Sequence, residues 1–169
     1  MTAGSIETER LWLRPLRHSD ASLIAMLLQD DHEAVQMTER IPDPCTESAA
    51  LDWIRQHRRA EECVFAIERL GTGIFIGCIG LIVTGPEAGI GYWIGRPFWN
   101  CGYATEAGRA VLEHARCLGV RTVTAEIFPE NAASARVLTK LEFVSGGQLE
   151  KELPQRGGRR RLLRFQRPL

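Results

Sequence analysis

The sequence predicts a mixed α/β fold, one sheet of mixed strands with helices on both faces. Three observations carry this. Apolar runs bounded by Gly and Pro alternate with segments of helical periodicity along the 169 residues. Gly-bearing turns at Gly71-Thr72-Gly73 and Gly157-Gly158 join pairs of such runs as hairpins. The stretch from Gly89 to Phe143 orders strand, turn, helix, strand and helix without interruption. At this length the chain is read as one domain spanning residues 1–169.

The elements follow in order. Arg10 to Leu16 alternates, with Leu11, Leu13 and Pro15 opposite Trp12 and Arg14, so it is a strand. Ser19 or Asp20 caps a helix through Leu28, and Thr46 caps a second with Leu51, Ile54 and His57 on one face. Cys63 to Leu70 and Ile74 to Val83 are strands, and Gly85-Pro86 turns into the strand Gly89 to Gly95. From Ala104 the apolar positions Ala104, Ala107, Val111, Ala115 and Leu118 fit one helical face. Small residues near its start predict close packing on a sheet, and Gly119 stops it. Thr122 to Phe128 is a strand ended by Pro129. Asn131 caps a helix carrying Ala133, Val137, Leu138 and Leu141, Glu142 to Gly146 begins another strand, and Arg160 to Gln166 is the last.

Composition excludes several classes. Hydrophobic residues are 44% and charged residues 25%, the proportions of an ordinary globular chain. A net charge of +0 argues against a general nucleic-acid surface. No run of about 18 apolar residues is present to span a membrane. The opening MTAGSIETER holds no apolar signal core, which points away from secretion. Cys45, Cys63, Cys78, Cys101 and Cys117 are widely spaced with no C-x-x-C pair, and the four His show no ligand spacing. The expectation is a cytoplasmic protein with reduced thiols and no metal.

The turn Trp99-Asn100-Cys101-Gly102-Tyr103-Ala104 carries the first chemical signal. A strand that feeds a small-residue turn and a helix start gathers backbone N–H groups in one place, and the helix dipole adds partial positive charge. Such a place suits a phosphate or pyrophosphate. Many such turns also occur without a ligand.

At Gly91-Tyr92-Trp93-Ile94, Gly102-Tyr103-Ala104-Thr105-Glu106-Ala107 and Pro129-Glu130-Asn131-Ala132-Ala133-Ser134-x-Arg136-Val137-Leu138 the chain resembles the GNAT superfamily of acyl-CoA-dependent N-acetyltransferases. Within it the chain is similar to the RimJ/RimL-type branch of ribosomal-protein N-terminal acetyltransferases. Glu9 to Leu16 with Asp20 also looks like that branch. The likeness covers about half of the chain and is weak between Leu27 and Gly77. Two departures stand out. Trp99, Asn100 and Cys101 occupy places where the superfamily usually has Gln or Arg, then Gly and a basic residue. Glu142 stands where Gly would suit a left-handed helix cap.

The resemblance implies a mostly antiparallel sheet whose central strands splay into an acyl-CoA cleft. It implies acetyl-CoA as cosubstrate, with its pyrophosphate on the amides of Asn100, Cys101, Gly102, Tyr103, Ala104 and Thr105 and with Trp99 beside it in the cofactor site. Tyr92, Trp93 and Ile94 would line the arm and supply an oxyanion N–H. Asn131 would help to hold the pantetheine or a water, and Ser134 would be the donor to the departing thiolate. Many members use a Tyr acid at the position that matches Leu138, which Leu cannot replace. The acceptor would be a primary amine, either a protein N-terminus or a small cationic amine. The assembly would be a monomer or homodimer.

Several readings stay open. The base is Glu126, Glu150, Glu152 or water alone. Trp12, Trp53, Trp93 and Trp99 suit a core, and Trp93 and Trp99 are also placed to line the cleft. Arg156, Arg159, Arg160 and Arg161 form a basic run, read as a solvated strand face or an RNA contact. Cys101 at a helix start is reactive or inert. Asp30 to Glu47 carries six acids against Arg40 alone, an acidic lip suited to a cationic acceptor. A non-catalytic CoA-binding module is the alternative to an enzyme.

Overall fold

The computed structural model describes residues 4–57 and 61–169. Among them, eight strands form one sheet in the order β1-β2-β3-β4-β5-β6-β8-β7. The strands are β1 (Ile6–Glu7), β2 (Leu11–Pro15), β3 (Glu62–Arg69), β4 (Ile74–Thr84), β5 (Glu87–Ile94), β6 (Thr122–Ile127), β7 (Val144–Leu153) and β8 (Gly158–Pro168). The helices are α1 (Ala21–Leu28), α2 (His32–Gln36), α3 (Glu47–Gln56), α4 (Tyr103–Cys117) and α5 (Ala132–Lys140). All neighbours pair antiparallel except β5 and β6. The mixed, mostly antiparallel sheet with helices on both faces is therefore as expected.

One register detail creates the cleft. β5 and β6 pair only at Glu87↔Thr122, Ala88↔Val123 and Gly89↔Thr124. Beyond Gly89, β5 continues on β4 to Ile94, while β6 continues on β8 to Ile127. The two strands thus part in the middle of the sheet.

Two cores cover the two faces. On one, Leu11, Leu13, Phe65, Ile67, Ile79 and Leu81 meet Val111, Leu112 and Ala115 of α4 and Leu138 at α5. Gly108 lets α4 approach α5, since a Cβ there would stand 2.6 Å from Leu141 Cδ1. The predicted small-residue face of α4 does this packing. On the other face, Ile24 and Leu28 of α1 and Ala50, Trp53 and Ile54 of α3 cover Ala66, Cys78 and Trp93.

The structure corrects some local expectations. Thr46 caps α3 through Ala49 N as expected, but α3 buries Ala50, Trp53 and Ile54, not the Leu51 and His57 edge. α5 buries Ser134, Leu138 and Leu141, while Ala133 is exposed. Neither Ser19 nor Asp20 supplies a side-chain cap to α1. Asp20 is instead buried at 2% exposure, bonded to Arg14 Nη1 and Nη2 at 2.9 and 2.7 Å and to Arg17 N. Arg14 Nε also donates to Glu68 at 2.7 Å. A buried guanidinium with two carboxylates satisfies a charge that strand alternation alone would have placed in solvent. The short α2, capped by Asp31 through Ala34 N, went unread because five residues show too little periodicity.

The Arg156–Arg161 run divides. Arg156 is 3% exposed and donates to the carbonyls of Thr38, Val35 and Ile41. It clamps the 35–41 segment beneath the β7–β8 turn. Burial holds its guanidinium below the ordinary value. Arg159 and Arg160 pair with Glu150 and Glu130.

Candidate active site

The turn after β5 is built as an amide cradle. Trp99 Nε1 closes the strand end by donating to Ile94 O at 2.6 Å, and Arg96 stacks over the Trp99 ring at 4.4 Å. Asn100 then takes φ +60 and Gly102 φ +81. Asn is among the few side chains that accept this left-handed region, so the departure from Gly is accommodated. The first N–H of α4 to reach a carbonyl is Glu106's, on Gly102 O at 3.0 Å. The N–H groups of residues 100–105 have no protein partner among the described residues. Glu106 fixes the cradle from behind, accepting from Thr8 Oγ1, Arg10 N and Arg10 Nε at 2.7–2.8 Å. Burial pushes its carboxyl up, but those three donors prevail and hold it below the ordinary value.

Two hollows meet at the parted strands. One, of about 230 Å³, lies between the end of β5, the cradle and α5, and is lined by Ile94, Trp99, Asn100, Gly102, Tyr103 and Ala104. The second, of about 370 Å³, lies over the other face and is lined by Trp53, Glu62, Gly91, Glu126 and Lys151. Tyr92, Trp93, Asn131, Ser134, Met37 and Thr38 line both. Thr105 also lines the smaller hollow. The acyl-CoA expectation fits this observation: unpaired amides at a helix start open directly onto a narrow slot. Cys101 lines neither hollow. It is exposed, and its carbonyl accepts from Arg10 at 3.0 Å.

The junction holds the chemistry. Ser134 is 8% exposed, and its Oγ lies 2.7 Å from the Tyr92 hydroxyl. Ser134 N donates to Asn131 Oδ1 at 3.0 Å, the capping bond the sequence predicts. Asn131 Nδ2 reaches Met37 O at 3.5 Å, which ties the cap to the overhanging loop. Burial pushes the Tyr92 phenol up to about 12, partly offset by the Ser134 bond. Tyr92 is therefore a neutral donor at ordinary pH. Leu138 is fully buried among core residues and does not face the slot. The sequence places Tyr92 along the cofactor arm and as a backbone donor, without pairing its hydroxyl with Ser134. The bond between its side chain and α5 depends on the strands parting, and no spacing rule reveals it.

The carboxylates separate into different environments. Glu126 accepts from Lys151 at 3.1 Å and Arg164 at 2.6 Å. Burial works against its ionisation, but these two cations hold its pKa below the ordinary value. Lys151 also bonds Glu39 at 2.7 Å, so it bridges the loop to the sheet across the larger hollow. Glu126 is thus a committed anion and a poor base. Glu150 and Glu152 are exposed and lie outside both hollows, since Lys151 between them takes the inward place. Four of the six acids of the lip are held by local bonds, Glu39 by Lys151 as above. Arg96 takes Asp31 and Glu33, and Asp43 bonds Gln36 and His32.

A family model for the acetyltransferase (GNAT) domain matches residues 10–144. The chain belongs to this family and is an acetyl-CoA-dependent acetyltransferase. It is 29% identical over 160 residues to the uncharacterized N-acetyltransferase YoaA of Bacillus subtilis (strain 168), covering 90% of this chain and 89% of that one. Its fold matches a GNAT-family acetyltransferase from Bacillus anthracis with a TM-score of 0.83 at 23% identity, over 97% of this chain and 98% of the other. It likewise matches Mycobacterium smegmatis RimJ in complex with CoA-disulfide, with a TM-score of 0.81 at 24% identity, over 94% and 81% of the two chains. These two structural likenesses are of the fold. No helix among the described residues is long and apolar enough to cross a membrane.

Proposed function

We propose that the protein is a RimJ/RimL-like N-acetyltransferase that moves an acetyl group from acetyl-CoA to a primary amine by direct attack. The observation that carries this is the Tyr92–Ser134 hydrogen bond at the point where a cradle-ended slot opens into a second hollow. The smaller hollow with Tyr103, Ala104 and the amides of residues 100–105 receives the cofactor, and the larger receives the amine.

The bound thioester supplies an activated acyl carbon and a thiolate leaving group. The chain's residues assist at three atoms. A backbone N–H of Tyr92, Trp93 or Ile94 stabilises the charge that develops on the acyl oxygen. Ser134 Oγ–H donates toward the departing sulfur, and the neutral Tyr92 hydroxyl donates to Ser134 Oγ in turn. A thiol pKa of about 8.5 means that one hydrogen bond suffices to ease departure. The new N–C bond replaces the C–S bond, and the amine's extra proton passes to water.

No dedicated base is required for an α-amine. Its pKa near 8 makes deprotonation at neutral pH cost about 1.4 kcal/mol, against about 4.6 for a Lys amine. This agrees with a site whose one central carboxylate, Glu126, is already committed to two cations.

The test mixes the protein with acetyl-CoA, a thiol reagent and a panel of peptide N-termini and small amines. Amine-dependent release of CoA is expected. Tight acetyl-CoA binding by calorimetry with no release for any amine would overturn the proposal.

A further inference from the structure

The larger hollow has a glycine floor. Gly80, Gly89 and Gly91 lie on one face, in register across β4 and β5. Gly91 is exposed although β5 is an interior strand, and a Cβ at Gly89 or Gly91 would meet nothing within 4 Å. Glycine inside a strand weakens it and marks a place where something approaches the backbone closely. At Gly89 and Gly91 it leaves open space above the middle of the sheet, whereas a Cβ at Gly80 would stand 3.1 Å from Cys63 O and Val64 Cγ2.

At the far end of that floor stands Glu62. It shares the row Glu62↔Ile82↔Gly89. Its side chain is 10% exposed, and Oε2 is buried with no hydrogen-bond partner among the described residues. Arg40 Nη1 approaches Oε1 only to 3.7 Å, too far for a hydrogen bond. Glu39 and Glu126, the other carboxylates of the hollow, are already bonded to Lys151 and Arg164. Glu62 is thus the lining carboxylate with unused acceptor capacity. An acceptor buried unbonded costs free energy unless a donor reaches it. Among the described residues the indole N–H groups of Trp53 and Trp93, which line the same hollow, also lack partners.

Glu62 does not stand at the reacting centre. It lies two strands and three residues from Tyr92, about 14 Å between Cα atoms by standard spacings. The odd offset also sets the Glu62 side chain on the face opposite that of Tyr92, so it does not shorten this gap, and an acceptor that spans it passes between the parted strands. A carboxylate at such range neither takes the amine proton nor touches the acyl carbon.

Resting on the amine-acetylating reading above, we infer that Glu62 selects the acceptor: it anchors a second cationic group of a linear di- or polyamine that lies over Gly89 and Gly91 while the first amine reaches the Tyr92–Ser134 junction. The acceptor is a small flexible dication, and Glu62 is a positioning residue. Arg40 competes for the same carboxylate.

The experiment compares a linear diamine of about eight carbons with the amino alcohol of the same length. Wild type should prefer the diamine by about tenfold or more in kcat/KM, with the difference in KM and not in kcat. Glu62→Gln should abolish that preference, and Arg40→Gln should enlarge it. Acetyl-CoA affinity by calorimetry reports that each variant is folded. No preference in wild type, or a Glu62→Gln variant that loses both amines in equal proportion, would overturn the inference. Diamine binding that Glu62→Gln weakens, with no CoA release, would support Glu62 and sink the catalytic reading instead.

Discussion

Tyr92 and Ser134 are separated by 42 residues, yet their hydroxyl oxygens lie 2.7 Å apart where β5 leaves β6. The pair links the strand that borders the slot to the first turn of α5. Ser134→Ala is expected to lower kcat by about tenfold, the size of one good hydrogen bond made in the transition state. Tyr92→Phe should lower it by about threefold, because Tyr92 acts through Ser134. The double variant should match Ser134→Ala alone, as for groups that work as a unit. Steady-state kinetics with a calorimetric acetyl-CoA affinity decides this. A Ser134→Ala kcat equal to wild type would return Ser134 to capping Asn131.

Gly102 makes the cradle possible. At φ +81 a β-branched side chain costs on the order of 1–2 kcal/mol. A Cβ would also come within 3.4 Å of Arg10 Nη2. Gly102→Val should therefore weaken acetyl-CoA binding by at least about tenfold in a chain that still folds, because it moves the amides of residues 100–105. Gly102→Asn, which tolerates the backbone, should fall between. Equal affinity for all three would mean that the pyrophosphate sits elsewhere.

Glu142 holds φ +63 just beyond α5, where Phe143 N donates to Leu138 O. The backbone there is the left-handed cap that glycine fills without strain. Glu142→Gly should raise stability by about 0.5–1 kcal/mol. The pair lost with Arg167, at 2.9 Å, involves a Glu side chain that is 77% exposed and contributes little. A lower denaturation midpoint in the variant would contradict this account.

Glu106 sets an acid limit on the site. Its folded-state pKa is depressed below 4.5, so its contribution is present above that value and is lost as pH falls through the folded value. Glu106→Gln should be less stable than wild type at neutral pH, and the gap should close as pH falls below about 4.5. Denaturant titrations at a series of pH values measure this. A gap independent of pH would show that the carboxylate charge is not what holds Thr8 and Arg10.

Much of this molecule is local and was legible in the residues. The Gly71-Thr72-Gly73 hairpin, the Asn131 cap and the small-residue face of α4 follow from backbone freedom, short-range hydrogen bonds and helical period, which act within a few residues. The family motifs lie in the same local stretches, so fold class and acyl-CoA chemistry followed from them. Tertiary structure alone decided the rest. Arg14 and Asp20 read as surface strand and cap, but the fold buries them together with Glu68. Arg156 read as part of a basic strand face, but it clamps carbonyls more than 110 residues away in sequence. Glu126 read as a candidate base until Lys151 and Arg164 closed on it, and Glu62 drew no notice until its oxygen was seen to be unbonded. A side chain's charge state and free bonding capacity depend on what the sheet brings beside it, and residue spacing along the chain carries no record of that.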